Sequence, residues 1–251
     1  SVCQDKHCMY TKTDGIFQSA DEVAAYYEKY YWNADHSGPK ANNILPAPQE
    51  ASTNTLRPGA RKVVDLNGDG AITKDDLYYA GDMAPRLTFG FKLGLEWKGI
   101  DLNIDFSGGA MQGWRQNYEL TNAYHNGGNS PAYLLEDRWH RLDLYDPESE
   151  WVPGRYPAIR NGEFAYNNKN SDFWLHNVHY LRISNLEIGY SLPTWMLKPI
   201  HAQKVRIYGS VSNLCSFDNV HQYGIDPEIT AAAAVVYPQQ RTFLVGFNVT
   251  F

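Results

Sequence analysis

From Leu87 the chain alternates. Leu87, Phe89, Phe91, Leu93, Leu95 and Trp97 are separated by Thr88, Gly90, Lys92, Gly94 and Glu96, with Lys98 closing the run. A period of two sends successive side chains to opposite faces of a strand. Twelve residues without a break exceed the usual soluble strand of about 5–6. Lys98-Gly99 reads as a tight turn, after which Ile100, Leu102, Ile104 and Phe106 alternate with Asp101, Asn103 and Asp105, so a hairpin is expected. Three more alternating segments follow. Leu181 and Ile183 fall on one parity and Leu186, Ile188 and Tyr190 on the other, which a bulge between them reconciles. Val205, Ile207, Gly209 and Val211 form the next segment. Phe243, Val245, Phe247, Val249 and Phe251 form the last.

The first 86 residues have a different texture, irregular and loop-like. Ser19 can cap a helix over 20–31, with Asp21 and Glu22 in the first turn, where the helix dipole favours acids. Residues 33–60 are rich in Asn, Pro, Ala, Ser and Gly and read as a linker. Two regions are therefore expected: 1–86, a loop region with one short helix, and 87–251, five strands with long loops.

Connection lengths sort by direction. If the final strand runs downward, the Lys98-Gly99 turn and the moderate turn at 191–203 fall on one side. The long loops 108–180 and 213–241 fall on the other. Membrane barrels have this asymmetry, with short periplasmic turns and long extracellular loops. Composition agrees. The longest apolar run, Ala231 to Tyr237, is far below the roughly 18–20 residues of a spanning helix, whereas a barrel strand needs only about 9–11. Aromatic residues make up 14% of the chain, as in barrels with aromatic girdles or glycan-binding surfaces. Net charge is −6 without a basic cluster, which argues against nucleic acid as a partner.

The sharpest local motif runs from Asp65 to Asp76, DLNGDGAITKDD. Asp65, Asn67 and Asp69 stand at loop positions 1, 3 and 5, and Gly70 at 6. The Ala71 carbonyl follows at 7, Thr73 at 9 and Asp76 at 12, the pattern of an EF-hand calcium loop. Position 12 is Asp rather than the usual Glu. A structural calcium ion is expected, the alternative being a metal-free Asp/Asn/Gly turn. Cys3 and Cys8 are compatible with a small disulfide outside the cytoplasm or with two unpaired thiols, and Cys215 stands alone. His125, His140, His176 and His179 show no metal-ligand spacing. Asp143, Asp146, Glu148 and Glu150 read as a solvated acidic loop rather than a glycosidase pair. Trp114, Trp139 and Trp151 suit either a stacking surface or a small core that orders the loop.

Four segments resemble the SusC/RagA family of TonB-dependent outer-membrane transporters. PGARKVVDLNGDGAITKDDLYYAGDMAPRLTFGFKLGLEWKGIDLNIDFSGG (58–109) is similar to the family's calcium-loop-like stretch and its entry into a barrel strand, here Gly81, Pro85, Phe89, Gly90 and Phe91. DFWLHNVHYLRISNLEIGYSLP (172–193), VRIYGSVSNLCSF (205–217) and TDGIFQSADEVAAYY (13–27) resemble three further family segments. Departures are His176 and Val178 for the usual Arg and Gly, and Cys215 for an aromatic residue.

The resemblance implies an all-β fold: the C-terminal five strands of a 22-stranded antiparallel transmembrane β-barrel, with the plug, the TonB box and about seventeen strands on other sequence. Chain opening at Ser1 without a signal peptide fits a processed or partial chain. The implied partners are the remaining barrel and plug, a SusD-like surface lipoprotein lid, TonB and outer-membrane lipid. The implied location is the bacterial outer membrane with the long loops extracellular, and no chemistry of its own is implied. Two other readings compete: a secreted calcium-stabilised β-sandwich glycan-binding module, and a surface glycosidase.

Overall fold

The computed structural model describes residues 3–4, 7–48, 54–116, 118–124, 127–159, 166–167, 169–228 and 239–251. In chain order the elements are β1 (Cys3–Gln4), β2 (His7–Thr11), β3 (Thr13–Ile16), α1 (Ala20–Tyr30), β4 (Arg61–Val63), β5 (Leu77–Asp82), β6 (Leu87–Trp97), β7 (Ile100–Arg115), α2 (Tyr118–Thr121), α3 (Ala132–Glu136), β8 (His140–Arg141), β9 (Trp151–Val152), β10 (Leu175–Ser191), α4 (Thr194–Leu197), β11 (Lys204–Asp218) and β12 (Thr242–Thr250). The described residues fall into two compact units. One lies within Ser1–Gly81 and Arg115–His176, the other within Asp82–Trp114, Asn177–Ala231 and Val235–Phe251.

The second unit is built on a five-stranded sheet ordered β6-β7-β10-β11-β12, a meander in which spatial order follows chain order. The expected hairpin is present, with Trp97 opposite Ile100 and Leu87 opposite Ala110. Its turn needs two residues at positive φ, and Lys98 (48°) and Gly99 (83°) supply them. Gly99 has a second constraint: Ser191 N donates to its carbonyl at 2.7 Å, and a Cβ there would sit 2.9 Å from the Ser191 oxygen.

Three strands outrun their sequence limits, and β10 does so at its start, at Leu175 instead of 181. β7 continues to Arg115 instead of ending near 107. Gly108 and Gly109 carry no side chain to continue the alternation, but the Phe89 ring covers the first and the Tyr180 ring the second. β11 continues to Asp218 instead of ending near 212. Asn213 at φ 54° breaks the period there, and pairing resumes with Cys215 opposite Ile183 and Phe217 opposite Leu181. The expected irregularity in β10 is real, since the register slips between Ile183 and Asn185.

The first unit closes around α1. Ser19 caps it by accepting from Glu22 N, and Val23, Tyr26 and Tyr27 are buried at i, i+3 and i+4. They join Phe17, Tyr31, Leu45, Leu56, Ala60, Val63, Ile72 and Tyr166 in one core. Residues 33–60, read as a linker, therefore contribute core side chains. A tyrosine tip helps make this possible, because irregular backbone can be buried only if its polar groups are met. Tyr27 Oη donates to Pro46 O at 3.1 Å and accepts from Leu56 N at 2.9 Å. The long segment after β7 adds a smaller core of Leu134, Tyr156 and Trp174. Trp139 and, in the other unit, Trp114 are buried as well, so these two tryptophans build structure rather than a stacking platform. The backbone pairs Cys3 with Cys8 across β1 and β2. The disulfide expectation concerns side chains outside the described set, and His125 and Ala231–Tyr237 lie outside the described residues.

Candidate functional site: a two-faced sheet

Opposed residues in an antiparallel pair share a face, so the registers sort the side chains within the pairs β6–β7, β10–β11 and β11–β12. One face carries Leu87, Phe89, Phe91, Leu93, Leu95 and Trp97 from β6, opposite Phe106, Ile104, Leu102 and Ile100 of β7. At the other end Ile207, Gly209 and Val211 of β11 lie opposite Phe247, Val245 and Phe243 of β12. Most of the side chains on β6 and β12 are exposed, Phe91 at 52%, Phe247 at 74% and Val245 at 84%, while Leu102, Ile104, Phe106 and Val211 are half-buried. Leaving a side chain of this size in water forfeits about 1.5–3 kcal/mol. A sandwich would bury such a face against a second sheet; here it is open.

The height of this face fits a bilayer. The ten steps from Leu87 to Trp97, at about 3.4 Å each and a tilt of about 40°, rise roughly 26 Å, matching the outward apolar band of about 25 Å in membrane barrels. Trp97 and Trp195 stand exposed at the end carrying the short turns, and the Lys98 ammonium lies 4.8 Å from the Trp97 ring centre. Aromatic residues with cationic neighbours suit the boundary between hydrocarbon and water.

The opposite face is charged and internally paired. Arg206 binds Asp101, Nε to Oδ1 3.0 Å, and Glu187 Oε1 at 2.6 Å. Lys92 pairs with Asp105 at 3.2 Å, and Ser107 Oγ lies 2.6 Å from Ser184 Oγ. Arg182, whose side chain is only 5% exposed, binds Asp226 and Glu228. A cation so far removed from water requires such partners. Ser184 and Glu187 lie three apart yet both bond to groups on this face. A regular strand would point them oppositely, so the bulge is what lets both serve the polar side. Sequence reading assigned no role to Arg182, Arg206, Asp101 and Glu187. Their signal was positional, a charged residue at a polar step of an alternating strand.

The Asp65–Asp76 loop belongs to the first unit. Asp65 accepts from Gly68 N at 2.7 Å and Gly70 N at 2.9 Å. Asn67 Oδ1 accepts from Asp69 N, and Asp69 Oδ1 from Ala71 N. Asp76 is fully buried; it accepts from Leu66 N and Thr73 N and forms a reciprocal cap with Thr73. Gly68 and Gly70 take φ of 75° and 80°. The oxygen donors are of the type calcium takes, and each oxygen holding one N–H keeps a lone pair. Among the described residues, no three His, Cys, Asp or Glu side chains converge as a metal cage, so the carboxylates are turned toward their own backbone. Nearby Arg61 is fully buried, and burial pulls its pKa down to about 10, leaving it charged at neutral pH. It is held by the carbonyls of Tyr166 and Lys169. His176 bonds Gln116 at 3.0 Å, a packed polar pair.

No family model matches the chain. It is 26% identical over 249 residues to TonB-dependent receptor P3 of Formosa agariphila, covering 94% of this chain and 23% of that protein. It is 26% identical over 213 residues to the TonB-dependent receptor SusC of Bacteroides thetaiotaomicron, covering 84% and 20%. By sequence the chain is similar to TonB-dependent receptors, SusC among them. Its fold matches the RagAB peptide importer in the "closed-closed" state with a TM-score of 0.59 at 19% identity, over 97% of this chain and 23% of that one. In the "open-open" state the TM-score is 0.57 at 18% identity, over 100% and 24%. The SusC/RagA-like chain thus spans less than a quarter of the length of these proteins. Its relatives are receptors and importers, not enzymes.

Proposed function

We propose that this chain forms part of the wall and the extracellular loops of an outer-membrane importer for nutrient oligomers, glycans or peptides. The observation that carries the reading is the two-faced sheet. One face is an apolar band of bilayer height, and the other is lined with paired charges suited to a watered lumen. Barrel closure needs strands beyond β6 and β12, whose open edges would otherwise present unpaired N–H and C=O groups to lipid. On this reading the complete barrel has 22 strands and a plug. TonB energises it from the periplasm, and a SusD-like lipoprotein covers its mouth. The short turns at Lys98-Gly99 and 192–203 lie periplasmic, and the segments after β7 and β11 extracellular. Names of the similar proteins, a peptide importer and TonB-dependent receptors, support the transport reading. Uptake of fluorescent oligopeptides and oligosaccharides by cells with and without the full-length gene tests it. Uptake of one class should depend on the gene and stop when the proton-motive force is collapsed; gene-independent uptake of both would contradict it.

We further propose that the Asp65–Asp76 loop takes one structural calcium ion, with Asp65, Asn67, Asp69, the Ala71 carbonyl, Thr73 and Asp76 as its donors. The tight turns at Gly68 and Gly70 and the density of oxygen donors support this.

A further inference from the structure

The segment joining β8 to β9 presents apolar side chains where solvent contact is nearly complete. Leu142 is 69% exposed, Leu144 67% and Tyr145 97%. Slack chain does not explain this. Leu142 N donates to Glu150 O at 2.9 Å and Ser149 N to Asp146 O at 3.2 Å. Asp143 N donates to Ser149 Oγ at 2.8 Å, Tyr145 N to Asp143 Oδ1 at 2.9 Å and Glu148 N to Asp146 Oδ1 at 2.9 Å. The base is equally firm. Trp139 stacks on Trp151 with centroids 6.0 Å apart, and the Arg141 guanidinium lies 4.3 Å from the Trp151 ring centre. A rigid tip with a protruding aromatic residue is a low-entropy anchor of the kind that dominates protein interfaces.

Charge says what kind of surface it fits. Asp143, Asp146, Glu148 and Glu150 surround the three apolar side chains, and all four are exposed. An anionic lipid surface would be repelled by them. An apolar pocket rimmed by Lys and Arg would take the tyrosine and leucines at its centre and the carboxylates at its edge.

We propose that this tip docks into such a basic-rimmed apolar pocket on the surface lid protein. The proposal rests on the importer reading, which supplies the lid. The test places the photo-crosslinking residue p-benzoylphenylalanine at Tyr145 of the full-length transporter in intact cells, beside an affinity-tagged lid. Position 145 is already open to solvent, so the replacement leaves the fold alone. A crosslink to a Lys/Arg-bearing lid peptide is the expected result. It should weaken several-fold in the combined variant Asp143→Asn, Asp146→Asn, Glu148→Gln, whose amide oxygens keep the local N–H bonds. Lid that co-purifies while position 145 reaches nothing, a second transporter copy, lipopolysaccharide or another loop of the same chain overturns the docking and leaves the importer reading standing. Absence of lid from the purified transporter overturns both.

Discussion

Arg206 on β11 reaches Asp101 on β7 across the intervening strand, passing over Gly189 of β10. The Nε–Oδ1 distance is 3.0 Å, and a Cβ at Gly189 would lie 2.5 Å from Arg206 Nη2 and 2.6 Å from Asp101 Oδ1. A residue without a side chain thus lets one cation on β11 bind carboxylates on β7 and β10, joining three strands. Gly189→Val should displace the guanidinium and cost roughly 1 kcal/mol, the scale of a solvent-accessible ion pair. Loss of thermal stability of the folded barrel measures it. The variant Arg206→Met should show a similar loss, and the double variant little more than either alone.

The apolar face makes a larger demand. Phe91 lies midway along β6 and stacks on Phe106 with centroids 4.3 Å apart. Phe91→Arg should destabilise the assembled protein by about 2–4 kcal/mol if it sits near the bilayer midplane. Lys92→Ser on the next residue should change stability by less than about 1 kcal/mol. Equal tolerance of the two in an outer-membrane assembly assay would count against a lipid-facing β6.

How much of this was legible followed from periodicity. β6 and β12 were readable almost to the residue because nothing interrupts their alternation. β7 and β11 were cut short where Gly108, Gly109 and Asn213 removed the signal, although neighbouring rings and a bulge carried the strands onward. The packed character of residues 33–60 was not legible, because the Tyr27 hydroxyl that satisfies part of its backbone comes from a different part of the chain. The Arg182 cluster was hidden for a related reason: its carboxylates, Asp226 and Glu228, lie in a loop that no pattern ties to β10.

Tyr27 offers a test of that packing. Its hydroxyl meets Pro46 O, Thr55 Oγ1 and Leu56 N. Tyr27→Phe leaves these buried groups without that partner and should cost about 1–3 kcal/mol. Hydrogen exchange at Leu56 should quicken well before exchange in the sheet does.

The calcium proposal separates two aspartates. Asp76 already holds Leu66, Asn67 and Thr73 N–H groups. Asp76→Ala should therefore destabilise the loop with or without chelator. Asp69 holds one backbone N–H, from Ala71, and one side-chain N–H, from Asn67. Asp69→Ala should act mainly by abolishing the protection from proteolysis that calcium confers. A wild-type loop equally resistant to protease with calcium and with chelator would refute the ion.

The membrane wall itself is tested most directly by single spin labels at each position from Phe89 to Glu96 of the full-length protein in lipid. Accessibility to oxygen, which concentrates in hydrocarbon, should peak at Phe89, Phe91, Leu93 and Leu95. Accessibility to a water-soluble nickel complex should peak at Gly90, Lys92, Gly94 and Glu96. A two-residue oscillation of opposite phase for the two probes is the result this account predicts. Odd positions shielded from both probes would mean a buried sandwich face, and would contradict it.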